Sequence, residues 1–386
     1  MILEVFTPTV YKEGIGRVTS PPFDMITREM EHDLKQNPYN IVNLKECKDP
    51  EGARVLFKKW MDLGVLNQLS GQGYVVLKQV FKEENVTRER YGVIAIINMK
   101  DPENSLIPHE EVIPELVRER EKLIERMEYQ TEPVFVVSDR PGLNETLKGV
   151  MKEHDCDRTY EEPEGVINSI CIITDQKKIE HIENAIKGSL GIIADGHHRT
   201  KAMIDLSRKY EGLVPFFNHL FVYVTSLSSD SIFISQVHRI IGYDSDLIDR
   251  IRERFQLVET QEVEQEQVPV LVLDGKRYLM KLRNGKGYED NLKEIDSLIR
   301  MKKGKKDILY TYVKEEAEKE IKNHREKIAF LMPPWNKEEF INIVKHGRVL
   351  PAKSTYFYPK IPSGIAFYGS DAQECHCGLV GRAADS

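Results

Sequence analysis

The sequence contains no apolar run long enough to cross a membrane. Its longest apolar stretches cover residues 93–97 and 268–273, whereas a membrane helix needs roughly 18–20 residues. Residues 1–6 also lack the basic segment followed by an apolar one that marks a signal peptide. These absences predict a soluble protein with no membrane partner and, by default, a cytoplasmic location.

Cysteine is scarce, and positive charge is not in excess. The five cysteines among 386 residues form no disulfide framework and favour a reducing compartment. Cys375 and Cys377 flank His376, but two thiols and one imidazole do not complete a metal site without a further ligand. The net charge of −7 argues against a nucleic-acid binder, which usually carries a basic stripe. We therefore expect no nucleic-acid partner.

The length of the chain predicts two lobes rather than one, because a single core rarely grows to this size. The pattern of strands and helices changes after residue 242. We expect a catalytic lobe with a large insertion over residues 1–242 and a smaller α+β lobe over residues 243–370 that returns residues 353–360 to the site. Residues 371–386 are expected to form a flexible tail. Strands expected at residues 167–173 and 192–194, with a helix between them, form a crossover pattern. The predicted fold class is α+β, with a mixed sheet and flanking helices.

The stretch GIIADGHHRTKAM, residues 191–203, is the strongest indication of a site. An apolar strand runs into Asp195 and Gly196, and a polar cluster then opens a helix. Free backbone N–H groups and the positive end of the helix dipole make such a turn an anion site. The alternative is a solvated helix N-terminus. The predicted phosphate-binding residues of the turn are Gly196, His197, His198, Arg199 and Thr200.

Other polar residues surround this stretch as candidate site residues. The polar loops near the start of the chain suggest a site wall, although an ordinary turn is an equal alternative. A proline-bounded segment near residue 355 offers ammonium and hydroxyl groups that suit a phosphorylated or carboxylated ligand. The predicted substrate-binding residues are Asp24, Asn37, His109, Glu110, Lys353, Ser354, Thr355 and Lys360, and Arg239 is a predicted phosphate ligand.

Several short segments resemble one known family when they are taken together and in order. They are SPPFD at residues 20–24, NPYN at 37–40, IPHE at 107–110, ADGHHR at 194–199 and KSTYFYPK at 353–360. The combination resembles the family catalogued as domain of unknown function 1015. That family lacks an assigned activity, although its members are associated with phosphoserine metabolism.

The Asp195–Arg199 turn is also similar to the phosphate box of the ParB and sulfiredoxin superfamily. Archaeal free-serine kinases of that superfamily carry a closely similar turn. The resemblance implies a ParB/sulfiredoxin-like catalytic core and phosphoryl transfer from ATP or ADP to the hydroxyl of free serine. Sulfiredoxins place a reactive cysteine where His197 stands, so sulfinic-acid repair is excluded.

This chemistry gives each candidate residue a role. Phosphoryl transfer needs cations around the phosphates, Mg²⁺ in most cases, and a carboxylate for the proton of the attacking hydroxyl. Asp195 is placed to bind Mg²⁺ or to orient the histidines. Asp24, Glu29, Glu31 and Glu110 are the available acids, and the resemblance to serine kinases favours Glu29 or Glu31. Two alternative functions stay open, a phosphoserine phosphatase and a nucleotide-binding switch protein without kinase activity. Assembly as a homodimer is a separate open question.

Overall fold

The computed structural model divides the chain into two compact units. It describes residues 1–22, 25–45, 49–83, 85–100, 106–154, 156–210, 213–261, 267–285, 287–302 and 308–370. Unit 1 comprises residues 1–107, 112–232 and the segment that begins at Pro359, and unit 2 comprises residues 108–111 and 233–358. Both units combine helices with sheets, which confirms the expected α+β class.

Unit 1 is built on an eight-stranded sheet whose strand order is β5-β10-β7-β11-β4-β3-β9-β8. The sheet is mixed, as expected, because β10 pairs in parallel with β5 but antiparallel with β7. Its strands are β3 (Tyr74–Glu83), β4 (Val86–Asn98), β5 (Leu106–Ile107), β7 (Val134–Ser138), β8 (Arg158–Glu161), β9 (Ile167–Ile173), β10 (Gly191–Asp195) and β11 (His219–Ser226). Two ribbons pair β1 (Thr9–Tyr11) with β2 (Leu66–Gln68) and β6 (Tyr129–Gln130) with β20 (Tyr368–Gly369).

The helices of unit 1 are α1 (Ile15–Val18), α2 (Arg28–Lys35), α3 (Val42–Lys45), α4 (Pro50–Asp62), α5 (Pro114–Met127), α6 (Leu143–Lys152), α7 (Gln176–Ile186) and α8 (His197–Lys209). Helices α5 to α8 bury apolar side chains, of which Leu147, Ile182 and Met203 are examples, in the same core as this sheet. Helix α7 connects β9 to β10, the strand-helix-strand order that the sequence predicts. The two strands are not neighbours, however, since four other strands lie between them in the sheet.

Unit 2 contains a six-stranded antiparallel sheet in the order β14-β16-β15-β18-β13-β17, beside a ribbon of β12 and β19. A tight hairpin at Asp274 and Gly275 joins β15 to β16. The strands are β12 (Phe233–Ser235), β13 (His238–Gly242), β14 (Phe255–Thr260), β15 (Val270–Leu273), β16 (Lys276–Leu282), β17 (Leu309–Thr311), β18 (Lys327–Leu331) and β19 (Tyr356–Tyr358). The helices are α9 (Ser245–Arg254), α10 (Tyr288–Lys302), α11 (Lys314–Asn323) and α12 (Lys337–Lys345).

The division into units differs from the predicted boundary after residue 242. That position is the last residue of β13, which lies within unit 2. The units are also interleaved along the chain, because residues 108–111 belong to unit 2 and the chain rejoins unit 1 at Pro359. The predicted tail, with Cys375 and Cys377, lies outside the described residues. In the described part of the chain, no helix is long and apolar enough to cross a membrane.

Candidate functional site

The predicted phosphate turn is present in unit 1, between β10 and α8. Gly196 has a φ of 96°, in the left-handed region that favours glycine. A Cβ there would lie 3.0 Å from Val134 Cγ2 and 3.1 Å from Arg199 Nη2. Helix α8 then begins at His197, and the Thr200 hydroxyl donates to the Gly196 carbonyl at 3.1 Å. The glycine therefore permits both the turn and the close approach of the Arg199 guanidinium.

Arg199 is held in place by several acceptors at once. Its Nη1 donates to the backbone carbonyls of Glu132 at 3.0 Å and Pro133 at 2.8 Å. Its Nη2 donates to Asp195 Oδ2 at 2.8 Å. A guanidinium presents its donors in a rigid planar fork, so these bonds determine its orientation as well as its position.

Lys360 completes a second ion pair on the same carboxylate. Its Nζ donates to Asp195 Oδ1 at 2.5 Å, and the Lys360 residue is buried. Each oxygen of Asp195 therefore holds a different cation. The sequence predicted Lys360 as a ligand of the substrate, and the structure places it at the turn itself.

Lys45 and Glu132 also belong to this site, although the sequence did not indicate them. The Lys45 ammonium pairs with Glu132 Oε1 and donates to Ser363 Oγ at 2.7 Å and to the Pro21 carbonyl at 3.0 Å. Burial alone would raise the pKa of Glu132, but the charges of Lys45 and Arg199 outweigh it and lower the pKa to about 2. Glu132 is therefore ionised at neutral pH. No motif surrounds either residue, so sequence patterns offered no signal for them.

The Asp195 cluster consists of Lys45, Glu132, Asp195, Arg199 and Lys360. It contains one more cation than carboxylate, and it adjoins the N-terminus of α8. A cavity of about 10 Å³ lies against Glu132, Asp195, Arg199 and Lys360, which is room for about one water molecule. A phosphate can therefore enter only when Arg199 or Lys360 moves away from Asp195.

His198 is not placed as the phosphate-binding cation that the sequence predicted. Its Nε2 accepts a hydrogen bond from the backbone N–H of Ile113 at 3.0 Å, at the N-terminus of α5. A ring nitrogen can accept only when it carries no proton, so the imidazole is neutral in this arrangement. His197 is buried. The positive charge at the turn comes from Arg199 and Lys360 instead.

Replacing His198 by alanine is therefore expected to destabilise the fold by about 1 kcal/mol, because the Ile113 N–H loses its acceptor. Urea unfolding measures the change. The matched control is His181→Ala, an exposed position on α7, with an expected change below about 0.5 kcal/mol. Equal stability of His198→Ala and wild type would contradict a structural role for this bond.

The remaining candidates in unit 1 lie near the start of the chain. Thr27 caps α2 by accepting from Met30 N at 3.2 Å. Glu29 is exposed on that helix, and Glu31 pairs with Lys35 at 2.5 Å. Asn37 donates to the Arg17 carbonyl and accepts from Tyr39 N, both at 3.0 Å. The bond from Tyr39 N is that of an ordinary Asx turn. Asp24 lies outside the described residues.

Five further candidates belong to unit 2, where most of their polar groups already have partners. Glu110 accepts from the N–H groups of Lys353, Ser354 and Thr355 at 2.8–3.0 Å. It also accepts from the Thr355 hydroxyl at 2.7 Å, and that hydroxyl lies 2.8 Å from His109 Nε2. The groups of residues 353–355 that were predicted to bind a ligand thus form hydrogen bonds with the Glu110 carboxylate.

Arg239 is likewise an internal residue of unit 2. It is buried, and it donates to the carbonyls of Val237 at 2.8 Å and Lys353 at 3.4 Å. The Asp296 carboxylate lies 3.7 Å away. The structure therefore distributes the predicted site residues over both units: Asp195, Arg199 and Lys360 meet in unit 1, and Glu110 meets Lys353, Ser354 and Thr355 in unit 2.

In this structure both oxygens of Asp195 are paired with cations, and its metal role stays a prediction. Among the residues that the structure describes, no three His, Cys, Asp or Glu side chains lie together as a metal-holding group. Mg²⁺ therefore stays a prediction from the class of reaction.

Comparisons with known proteins identify the family and similar structures. The model of the family described as "Protein of unknown function (DUF1015)" matches residues 6–301. A conserved hypothetical protein from Pyrococcus furiosus is 15% identical, with a TM-score of 0.45 and coverage of 71% of this chain and 94% of the other. A free serine kinase in complex with AMP is 16% identical, with a TM-score of 0.46 and coverage of 73% and 92%. No curated protein matches the chain. At these identities and TM-scores, neither structure decides the activity of this chain.

Proposed function

The chain belongs to the DUF1015 family, whose description assigns no activity, and we propose from the site itself that it is a phosphotransferase. It transfers a phosphoryl group from ATP or ADP to the hydroxyl of free L-serine and so forms O-phosphoserine. The Asp195 cluster holds the phosphates. The observation that carries the proposal is the pairing of Arg199 and Lys360 with one carboxylate at the start of α8.

The pairing of both Arg199 and Lys360 with Asp195 favours an anion-binding site over an ion pair that only stabilises the fold. Arg199 and Lys360 share the Asp195 carboxylate, and Asp195 lies immediately before the N-terminus of α8, an end of a helix that favours anions. An incoming phosphate replaces Asp195 as the partner of Arg199 and Lys360, so the two cations need not be left unpaired in the bound state. Asp195 keeps the cations in place until then.

The transfer step needs charge stabilisation and a proton acceptor. The serine oxygen forms a bond to the terminal phosphorus of the nucleotide, and the bond from that phosphorus to the leaving nucleotide oxygen breaks. Arg199 and Lys360 stabilise the charge on the phosphoryl oxygens. The proton of the serine hydroxyl passes to a carboxylate, for which Glu29 and Glu31 on α2 are the proposed residues.

The choice of serine rests on the resemblance of the turn to that of free-serine kinases. A free serine kinase in complex with AMP is among the structures similar to this chain, which agrees with the proposal without deciding it. The fold and the cluster by themselves favour a nucleotide-binding phosphotransferase. The acceptor therefore has to be determined directly.

The test is the nucleotide-dependent formation of O-phosphoserine. Purified protein is incubated with L-serine, Mg²⁺ and either ATP or ADP, and the product is measured by mass spectrometry. We expect product only when both serine and a nucleotide are present. Arg199→Gln should abolish it, whereas Arg208→Gln, an exposed position on the same helix, should not.

Two other outcomes would replace the proposal. Release of inorganic phosphate from O-phosphoserine without nucleotide would indicate a phosphatase that uses the same turn. Tight nucleotide binding with neither reaction would indicate a regulatory switch protein. Activity that survives Arg199→Gln would show that phosphoryl transfer occurs elsewhere on the chain.

A further inference from the structure

A row of buried polar side chains crosses three neighbouring strands of the sheet in unit 1. Asn168 on β9, Gln79 on β3 and Arg90 on β4 are each 0% exposed. Gln79 lies directly opposite Asn168 in one strand pair and directly opposite Arg90 in the other. Buried polar groups are costly unless they are paired, so the position of this row within a largely apolar sheet requires an explanation.

The row is connected internally by side-chain hydrogen bonds. Gln79 Nε2 donates to Asn168 Oδ1 at 3.1 Å, and Gln79 Oε1 accepts from Arg90 Nη2 at 2.5 Å. Asn168 Nδ2 in turn donates to Glu162 Oε1 at 2.5 Å. The orientation of the Gln79 amide is therefore set from both neighbouring strands.

The row also holds two consecutive backbone carbonyls of the returning C-terminal segment. Gln79 Nε2 donates to the Lys360 carbonyl at 3.1 Å, and Arg90 Nη2 donates to the Pro359 carbonyl. The Nζ of the same Lys360 pairs with Asp195. Gln79 therefore holds the backbone of Lys360, and Arg90 holds the backbone of the preceding Pro359. Lys360 is the residue whose ammonium binds the phosphate in the proposed function.

Aromatic rings restrict Arg90 further. Its guanidinium carbon lies 4.8 Å from the centre of the Phe135 ring and 5.8 Å from that of Tyr223. Gly92 makes room for the Tyr223 ring, because a Cβ at this position would lie 2.1 Å from it. Phe135 is also opposite Asp195 in the pairing of β7 and β10. The same strands therefore support the Arg90 network and the phosphate turn.

We propose that Gln79 and Arg90 are positioning residues that fix the Pro359–Lys360 backbone and so aim the Lys360 ammonium at the phosphate site. A lysine side chain has four flexible bonds, and a fixed backbone reduces the volume that its charge explores. Because the backbone is fixed before the ligand arrives, only the Lys360 side chain has to move from Asp195 to the phosphate, and less entropy is lost on binding. The effect on nucleotide binding, the kinetic part of this inference, rests on the proposed function. The fixing of the Pro359–Lys360 backbone, the positional part, does not.

The positional part is tested by hydrogen exchange in Gln79→Met, which preserves the length of the side chain and removes its amide. We expect the amides of Lys360 and Ile361 to exchange at least about tenfold faster than in wild type, because the segment loses an anchor. The matched control is Thr225→Val. Thr225 is equally buried, on β11, and its hydroxyl donates to the Tyr91 carbonyl at 2.7 Å.

Unchanged exchange at Lys360 and Ile361 in Gln79→Met would overturn the inference, as would an equal increase in Thr225→Val. Gln79→Asn provides a second variant if Gln79→Met does not fold. It retains the amide but shortens the side chain by one methylene, so it too should release the segment. Exchange does not require catalysis, so this test remains decisive even if no kinase activity is found.

The kinetic part is tested by a double-mutant cycle with Lys360→Met. If Gln79 acts through Lys360, Gln79→Met should raise the KM for nucleotide about tenfold in the wild-type background. It should have no further effect in the Lys360→Met background. Equal effects in both backgrounds would show that Gln79 contributes only to the general stability of the sheet.

Discussion

Replacing Glu132 by glutamine is expected to lower the free energy of unfolding by about 3–5 kcal/mol, because it leaves the buried Lys45 ammonium without its carboxylate. Lys45 is one of the least exposed charged residues of unit 1, with 2% of its side chain accessible to solvent. Its other partners, Ser363 Oγ and the Pro21 carbonyl, are neutral. Neither can compensate for the desolvation of a full charge.

Urea unfolding of three variants and one control measures this effect. Lys45→Met should be strongly destabilising too, and the double variant Lys45→Met/Glu132→Gln should recover part of the loss, because no charge of the pair then stays buried alone. The control is Glu115→Gln, which removes an exposed ion pair with Arg118 and should cost less than about 1 kcal/mol. Similar losses in Glu132→Gln and Glu115→Gln would contradict the prediction.

The pH dependence of the same pair follows from the pKa of Glu132. That pKa falls from the usual 4.5 to about 2 in the folded protein, so the folded state favours the ionised form. The stabilisation is fully present above pH 4.5, decreases as the pH falls below that value, and is lost near pH 2. The stability advantage of wild type over Glu132→Gln should therefore shrink as the pH falls from 4.5 towards 2.

The phosphate turn was predictable from the sequence because every signal for it is local. The apolar strand, the Asp-Gly turn and the helix that follows occupy residues 191–203, and the structure has β10, a left-handed Gly196 and α8 in that order. The hairpin of β3 and β4 is equally local, because its two strands are consecutive in the chain. Short-range periodicity and turn chemistry suffice for such elements.

The partners of the turn were only partly predictable. Glu132 pairs with both Arg199 and Lys45, which come from distant parts of the chain, and no residue pattern in the sequence indicates these contacts. The type of a residue also does not show whether its polar groups already form hydrogen bonds within the protein. Ser354 and Thr355 look available in the sequence, but they bind Glu110 within unit 2. The interleaving of the two units escaped prediction because the change of sequence pattern near residue 242 coincides with the end of β13 and not with a boundary between units.

Lys360→Met is expected to lower kcat/KM for phosphoryl transfer by about 10²–10³, the usual effect of removing one charged or hydrogen-bonding group that stabilises a transition state. The substitution preserves the aliphatic stem that packs in unit 1. Asp195 keeps Arg199 as its partner, so the carboxylate is not left alone. We therefore expect the free energy of unfolding to change by only about 1 kcal/mol.

Substitution of Arg199 tests phosphate binding less cleanly than substitution of Lys360. The Arg199 guanidinium also donates to the Glu132 and Pro133 carbonyls, so its removal disturbs the backbone beside the turn. Lys78→Met, which breaks the ion pair of Lys78 with Glu89 at 2.6 Å on the same sheet, is the matched control and should retain activity. A Lys360→Met enzyme with wild-type kcat/KM would mean that Lys360 only neutralises Asp195. Arg199 and the N-terminus of α8 would then have to bind the phosphate without it.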